Sequence, residues 1–185
     1  MNASAVIVPK YGREIADALG ERLGPLNPLP VDDPNAVLSG FANPKMGEWI
    51  NSTLEADLEE KGAYDATAPF RSGSRLLEAE GGTYLRPTIV HCDSMEHVLA
   101  NREFLCPYAS VVEVPQAEML RSIGPTLVVT AITKDESFKR QLLGASNVER
   151  LNIGPISTMK ISWDQPHEGN MFEFLYKRRS IGMAA

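Results

Sequence analysis

Hydrophobic and polar positions alternate along the chain in blocks whose periods change. Ala5–Val8 is a β-branched apolar run closed by Pro9, which predicts a buried strand. Tyr11, Ile15, Leu19 and Leu23 recur every four residues and predict a helix over 10–23 with one apolar stripe, ended by Gly24-Pro25. Leu26–Asn35 is rich in proline and reads as a loop. Asn43-Pro44 is a helix start, with Met46, Trp49, Ile50, Leu54 and Leu58 as the apolar face and Gly62 as a C-cap. Residues 74–92 read as two strands around a Gly81-Gly82 turn, the first holding Leu76 and Leu77 and the second Tyr84–Val90.

Downstream, Asp93 and Glu96 form a capping-box pattern that opens a short helix to about Asn101. Ala109–Val114 is the next strand, Gln116–Ile123 a short helix, and 126–132 a strongly buried strand. Thr133 and Glu136 form a second capping box, with Phe138, Leu142 and Leu143 facing inward, before a strand at Val148–Ile153. Met171–Met183 mixes aromatics with Lys177, Arg178 and Arg179 and reads as a short helix or strand followed by an exposed arm. Strands alternating with helices predict an α/β fold: an open, mostly parallel sheet with flanking helices.

Composition narrows this picture. At 185 residues the expectation is one domain over 1–170 and a C-terminal arm over 171–185 that serves oligomerisation. A content of 43% hydrophobic and 23% charged residues excludes a wholly disordered chain. The net charge of −6 argues against a nucleic-acid partner, which wants a basic stripe. No apolar run approaches ~18 residues, so no membrane-spanning helix is expected. Two cysteines make no disulfide framework, and a reducing cytoplasm is the default. The first residues lack the charged and long apolar regions of a signal peptide. A chain that enters its core within five residues leaves no frayed beginning, which leads us to expect a preceding segment.

Several residues could carry chemistry. No glycine-rich phosphate loop occurs, and Gly81-Gly82 is most simply a hairpin turn. His91, Cys92 and His97 fit no standard zinc spacing. Cys106 precedes Pro107 and a buried strand, the setting of an inert thiol more often than of a nucleophile. His167 sits in a Pro/Gly-rich loop, Gln165–Gly169, and is either a function-bearing or a solvated histidine. Glu103 follows Arg102 and leads into Phe104–Pro107; composition alone favours a surface Arg–Glu pair at a helix end. Asn152 interrupts a strand, where an amide needs partners, so it either orients a ligand or forms a turn.

Taken in order, these segments resemble the C-terminal, catalytic half of the aldehyde dehydrogenase superfamily. Asn2–Pro9 resembles the strand after the family's nucleophilic cysteine, and Gly82–Val90 its Gly-Tyr-x-x-x-Pro-Thr-Ile segment. Arg102–Pro107 is similar to Glu-Glu-Ile-Phe-Gly-Pro, and Leu151–Gly154 to the Val-x-Ile-Asn strand end. Gln165–Gly169 sits where the family has Pro-Phe-Gly-Gly, and Tyr176–Met183 resembles the strand that packs across the dimer.

The resemblance implies site residues. Glu103 matches the glutamate that holds the nicotinamide ribose hydroxyls, and a carboxylate can accept both bonds of a diol. Leu105 matches the phenylalanine packed near the nicotinamide. Asn152 matches a strand-end asparagine near the substrate channel, and His167 falls in the loop beside it. The family's chemistry uses a cysteine that attacks the aldehyde, passes hydride to NAD or NADP and releases the acyl group. By this alignment that cysteine lies just before Met1, and the general base and dinucleotide-binding domain lie further upstream. The chain alone is therefore expected to be inactive and to bind NAD or NADP weakly or not at all. Its sequence departs from the family at Arg102, Cys106 and His167-Glu168, which implies a divergent subfamily. Two alternatives stay open: an acylating, CoA-dependent enzyme, and a non-catalytic module that forms homo-oligomers through its arm.

Overall fold

The computed structural model describes residues 3–158, 160 and 161. They fall into two compact units, one over residues 2–119 and one from residue 120 onward. In the first, a four-stranded sheet has the order β1-β6-β5-β2. It comprises β1 (Ala5–Val8), β2 (Ala63–Asp65), β5 (Thr88–Cys92) and β6 (Tyr108–Glu113). β6 runs parallel to β1 and β5, and β2 joins β5 antiparallel, so the sheet is mostly parallel as expected. β5 is buried along its whole length and β6 up to Val112, as strands covered on both faces must be.

Side chains of alternate parity meet different layers. Ile89, Ala109 and Val111 pack with Ala16 of helix α1 (Gly12–Leu23) and with Ala66. On the other face, Tyr108 and Ser110 donate from their hydroxyls to the carbonyls of Leu99 and Ala100, which lie in a short 3-10 helix, Val98–Asn101. Phe104 sits edge-on to Tyr108 on this face and also meets Trp49 of helix α2 (Pro44–Leu58).

The α1 stripe lies one residue off the expected one. Gly12, Ala16 and Gly20 are buried, with Ile15, Leu19 and Leu23 flanking them, whereas Tyr11 is 65% exposed. Close approach is the reason: a Cβ on Gly20 would stand 2.1 Å from the Ala66 carbonyl oxygen. Tyr11 is instead the N-cap, held at φ 65°. In α2, the Asn43 side chain accepts from the Lys45 amide at 3.2 Å as a cap, and Ile50 and Leu54 are buried. Met46 and Trp49 are exposed, and the helix closes at Glu59 rather than Gly62. Gly62 takes φ 100° in the turn into β2, a strand too short for its period to be read.

The Gly81-Gly82 turn joins β3 (Leu76–Ala79) to β4 (Gly82–Leu85) in an antiparallel hairpin. The expected single strand from Tyr84 to Val90 divides at Arg86-Pro87. Proline has no N–H for a ladder, and the amides either side turn to the carbonyls of Arg75 and Pro107. The Asp93/Glu96 helix begins later than its motif suggests: the His97 ring accepts from the Leu99 amide at 3.1 Å and caps the 3-10 helix. A one-turn helix, α3 (Met119–Ser122), covers part of the predicted 116–123 helix.

In the second unit, β7 (Thr126–Ala131) and β8 (Val148–Ile153) pair in parallel around helix α4 (Glu136–Leu143). The Asp135 carboxylate caps α4 by accepting from the Ser137 and Phe138 amides at 2.8 and 3.1 Å, while Thr133 braces the Asp135 amide at 3.1 Å. Phe138 and Leu142 are buried, but Leu143 is exposed, and β7 is mostly half-buried rather than strongly buried. His167, Met171–Met183 and the 171–185 arm lie outside the described residues.

Candidate functional site

The segment Arg102–Pro107 links the 3-10 helix to β6 and bends over residues 105–107, and its side chains alternate between exposed and buried from Glu103 to Cys106. Phe104 and Cys106 turn inward, at 8% and 7% exposure. Glu103 and Leu105 turn outward, and Leu105 is 85% exposed. The structure thus brings two of the predicted site residues onto one outward face. Glu103 has no hydrogen-bond or ion-pair partner among the described residues.

The inner side is tightly held. The Phe104 ring lies 5.1 Å from Tyr108 and 6.4 Å from Trp49, both edge-on. Arg102 does not pair with its neighbour Glu103, as its sequence context suggested. Its guanidinium donates to both carboxylate oxygens of Asp57, at 2.9 and 3.3 Å, and its Cζ stands 6.0 Å from the Phe104 ring centre.

Deeper in this unit, Asp65 organises an ion cluster. Arg71 and Arg75 each donate to its Oδ2 at 2.8 Å, and the Thr67 and Ala68 amides donate to Oδ1 at 2.9 and 3.1 Å. Arg75 also reaches Glu55 at 2.7 Å and Asn51 at 3.2 Å on α2. Burial alone would raise the Asp65 pKa. The Thr67 hydroxyl and the two guanidiniums outweigh it and hold the carboxyl below its ordinary value. Nothing in the local sequence announces this cluster, since its members come from α2, β2 and the loop after it.

Neither cysteine has the setting of a nucleophile. Burial pushes the thiol of Cys106 up to about 12 although the Arg75 guanidinium pulls the other way. Burial, reinforced by Asp93, takes Cys92 to about 12 as well. His91 stacks on Tyr64 at 5.2 Å between ring centres, and His97 is engaged as a cap. Among the described residues no group of three or more His, Cys, Asp or Glu could hold a metal ion, and no helix is long and apolar enough to cross a membrane.

Asn152 belongs to the other unit. It is buried in β8 directly across from Thr130, and its amide donates to the Thr130 hydroxyl at 3.2 Å. The turn that follows is made by Gly154, at φ 103°. Arg150, also buried, donates to the carbonyls of Thr158, at 3.1 Å, and Lys160.

No family model matches the sequence, and no curated protein matches it. Solved structures do match. An aldehyde dehydrogenase from Bacillus cereus, solved among other forms as an NAD+ complex, aligns at 16% identity and TM-score 0.69 over 90% of this chain and 33% of its own. Lactaldehyde dehydrogenase from Escherichia coli aligns at 17% identity and TM-score 0.70 over 90% of this chain and 34% of its own. A 1-pyrroline-5-carboxylate dehydrogenase aligns at 18% identity and TM-score 0.64 over 82% and 28%. The chain spans about a third of the length of these structures. The chain therefore has the fold of one part of an aldehyde dehydrogenase, as its motif order suggested.

Proposed function

We propose that this chain is the catalytic-domain portion of an NAD- or NADP-dependent aldehyde dehydrogenase-like oxidoreductase. Its contribution is the outward face of residues 102–107. The observation that carries this reading is the alternation in that segment, which presents Glu103 and Leu105 together on a body with the matching fold. A nicotinamide ribose offers a diol and its ring offers an apolar face. A carboxylate without a partner among the described residues, beside an exposed leucine, fits both. In this reading Glu103 accepts from the ribose hydroxyls and Leu105 packs on the ring side. When bound, the nicotinamide supplies the hydride acceptor.

Asn152, and His167 in its loop, are proposed to serve the substrate side, and residues 171–185 to serve homo-oligomerisation. The chain by itself does not oxidise aldehydes in this reading, because neither of its two cysteines is a usable nucleophile. Burial raises both thiol pKa values and keeps the thiols protonated at neutral pH.

Titrating the isotope-labelled chain with NAD+ and NADP+ to millimolar concentrations tests the reading. Amide shifts centred on 103–105 are expected, with weak affinity and no NADH formed from added aldehyde. Shifts elsewhere with none at Glu103, or steady aldehyde oxidation by this chain, would overturn it.

A further inference from the structure

The backbone anchors segment 102–107 at its end, where Cys106 and Pro107 accept from the Tyr108 and Thr88 amides, both at 2.8 Å, and not in its middle. Among the described residues, no backbone-to-backbone hydrogen bond involves residues 103–105; the nearest on either side are those of Ala100 and Cys106. Where the backbone makes no such bonds, side-chain contacts set the position of a segment. On the inner side, Phe104 supplies an apolar plug that fixes depth, and aromatic contacts tolerate sliding and tilting. The charged contact is the one with fixed geometry. The Arg102 guanidinium meets both oxygens of Asp57, and planar two-point contacts of this kind set direction as well as distance. Asp57 is well shielded, at 15% side-chain exposure against 37% for Arg102, so solvent screens the pair only in part. Asp57 stands on the last turn of α2, whose cap at Asn43 and buried Ile50 and Leu54 make it a rigid base.

Alternation adds a second consequence. Arg102 shares the inner side with Phe104, whereas Glu103 points the other way. Asp57 thus occupies the guanidinium next to Glu103 in sequence, and among the described residues no other donor takes the Glu103 carboxylate. An Arg102 released from Asp57 has Glu103 as its nearest carboxylate in sequence, and pairing there would cover the face.

We infer that Arg102 and Asp57 are a positioning pair: their two-point ion pair fixes segment 102–107 so that Glu103, without a partner among the described residues, is presented to a ligand. This rests on the reading of Glu103 as a nucleotide contact. Neither residue touches the ligand, and the pair acts through the segment.

The test uses the 185-residue chain. Backbone relaxation at residues 103–105 is compared in wild type, Arg102→Met, Asp57→Asn and the exchange Arg102→Asp with Asp57→Arg. Arg102→Lys keeps the charge without the fork and covers the case where Arg102→Met fails to fold. Wild-type order parameters near the rigid value of about 0.85 are expected to fall below about 0.6 in the single variants and to recover in the exchange. NAD+ affinity, read from amide shifts, is expected to weaken roughly tenfold in the single variants, the scale of one charge-assisted contact. Unchanged order parameters at 103–105 in Arg102→Met or Arg102→Lys would overturn the inference. Loss of order together with wild-type NAD+ shifts that never involve Glu103 would instead overturn the nucleotide reading, and with it the role of the pair in binding.

Discussion

Glu103 and Phe104 are neighbours with opposite surroundings. Phe104 touches two aromatic rings and a guanidinium and is nearly buried; Glu103 has no partner among the described residues. Leu105 and Cys106 repeat the contrast one step on, with an apolar side chain left in solvent beside a polarisable thiol taken out of it. Burial economy alone would place Leu105 inside. The inner side of this segment is spent on stability and the outer side is left open, which is the division expected where a binding face rides on a rigid body.

Substitutions on the two sides should therefore separate. The largest effect is expected inside. Phe104→Ala removes a ring wedged between Trp49 and Tyr108 and should cost about 3–5 kcal/mol, read as a shift in the urea midpoint. An effect as small as that of a surface substitution would erase the contrast.

Asp65→Asn should follow, at about 3 kcal/mol or more, because it leaves the Arg71 and Arg75 guanidiniums without their shared carboxylate. This prediction has a pH signature. The folded pKa of Asp65 is depressed, so its contribution is present above the ordinary value of 3.8 and lost as pH falls through the lower folded value. Acid unfolding of Asp65→Asn should start from lower stability and lack that part of the slope. An acid limb identical in steepness to wild type would contradict the ion-cluster account.

The two thiols sharpen the comparison from the alkaline side. Their folded pKa values are raised from 9.0 to about 12. Their burial therefore stabilises fully below about pH 9 and is progressively lost towards pH 12. At neutral pH a thiol reagent should label neither cysteine in the native chain and both after denaturation. Rapid native labelling at Cys106 would move that residue to the outer side.

The smallest effect is expected outside. Leu105→Ala should leave the urea midpoint within experimental scatter, since an exposed side chain gives up almost no contact. A large loss of stability would show that the face is structural.

Much of this arrangement was legible in the sequence, and the exceptions have physical causes. The bounds of Ala5–Val8 and Val148–Ile153 are legible because turn signals flank each apolar run, although β1 is half-buried along its length and not buried as its composition predicts. The α1 stripe was misplaced by one position because Gly12, Ala16 and Gly20 fill the closest contact, and hydrophobicity does not register a fit made by small residues. Leu143 and most of β7 were expected inside on apolarity alone, but burial depends on which neighbours a strand or helix has. Motif order points to Glu103 and Leu105, and the structure places both on the exposed side of one segment. Motif order could not show that Arg102 turns to Asp57, because that pair spans 45 residues and is set by how α2 meets the segment. The Asp65 cluster has no local signature for the same reason, its members being spread from Asn51 to Arg75.

The central claim is that the outer side of 102–107 serves a ligand and not the fold. Measuring the urea midpoint and the NAD+-induced amide shifts of Glu103→Gln beside wild type tests it most directly. The account predicts an unchanged midpoint and loss of the shifts at 103–105. A lowered midpoint with the shifts intact would contradict it and make Glu103 a structural residue.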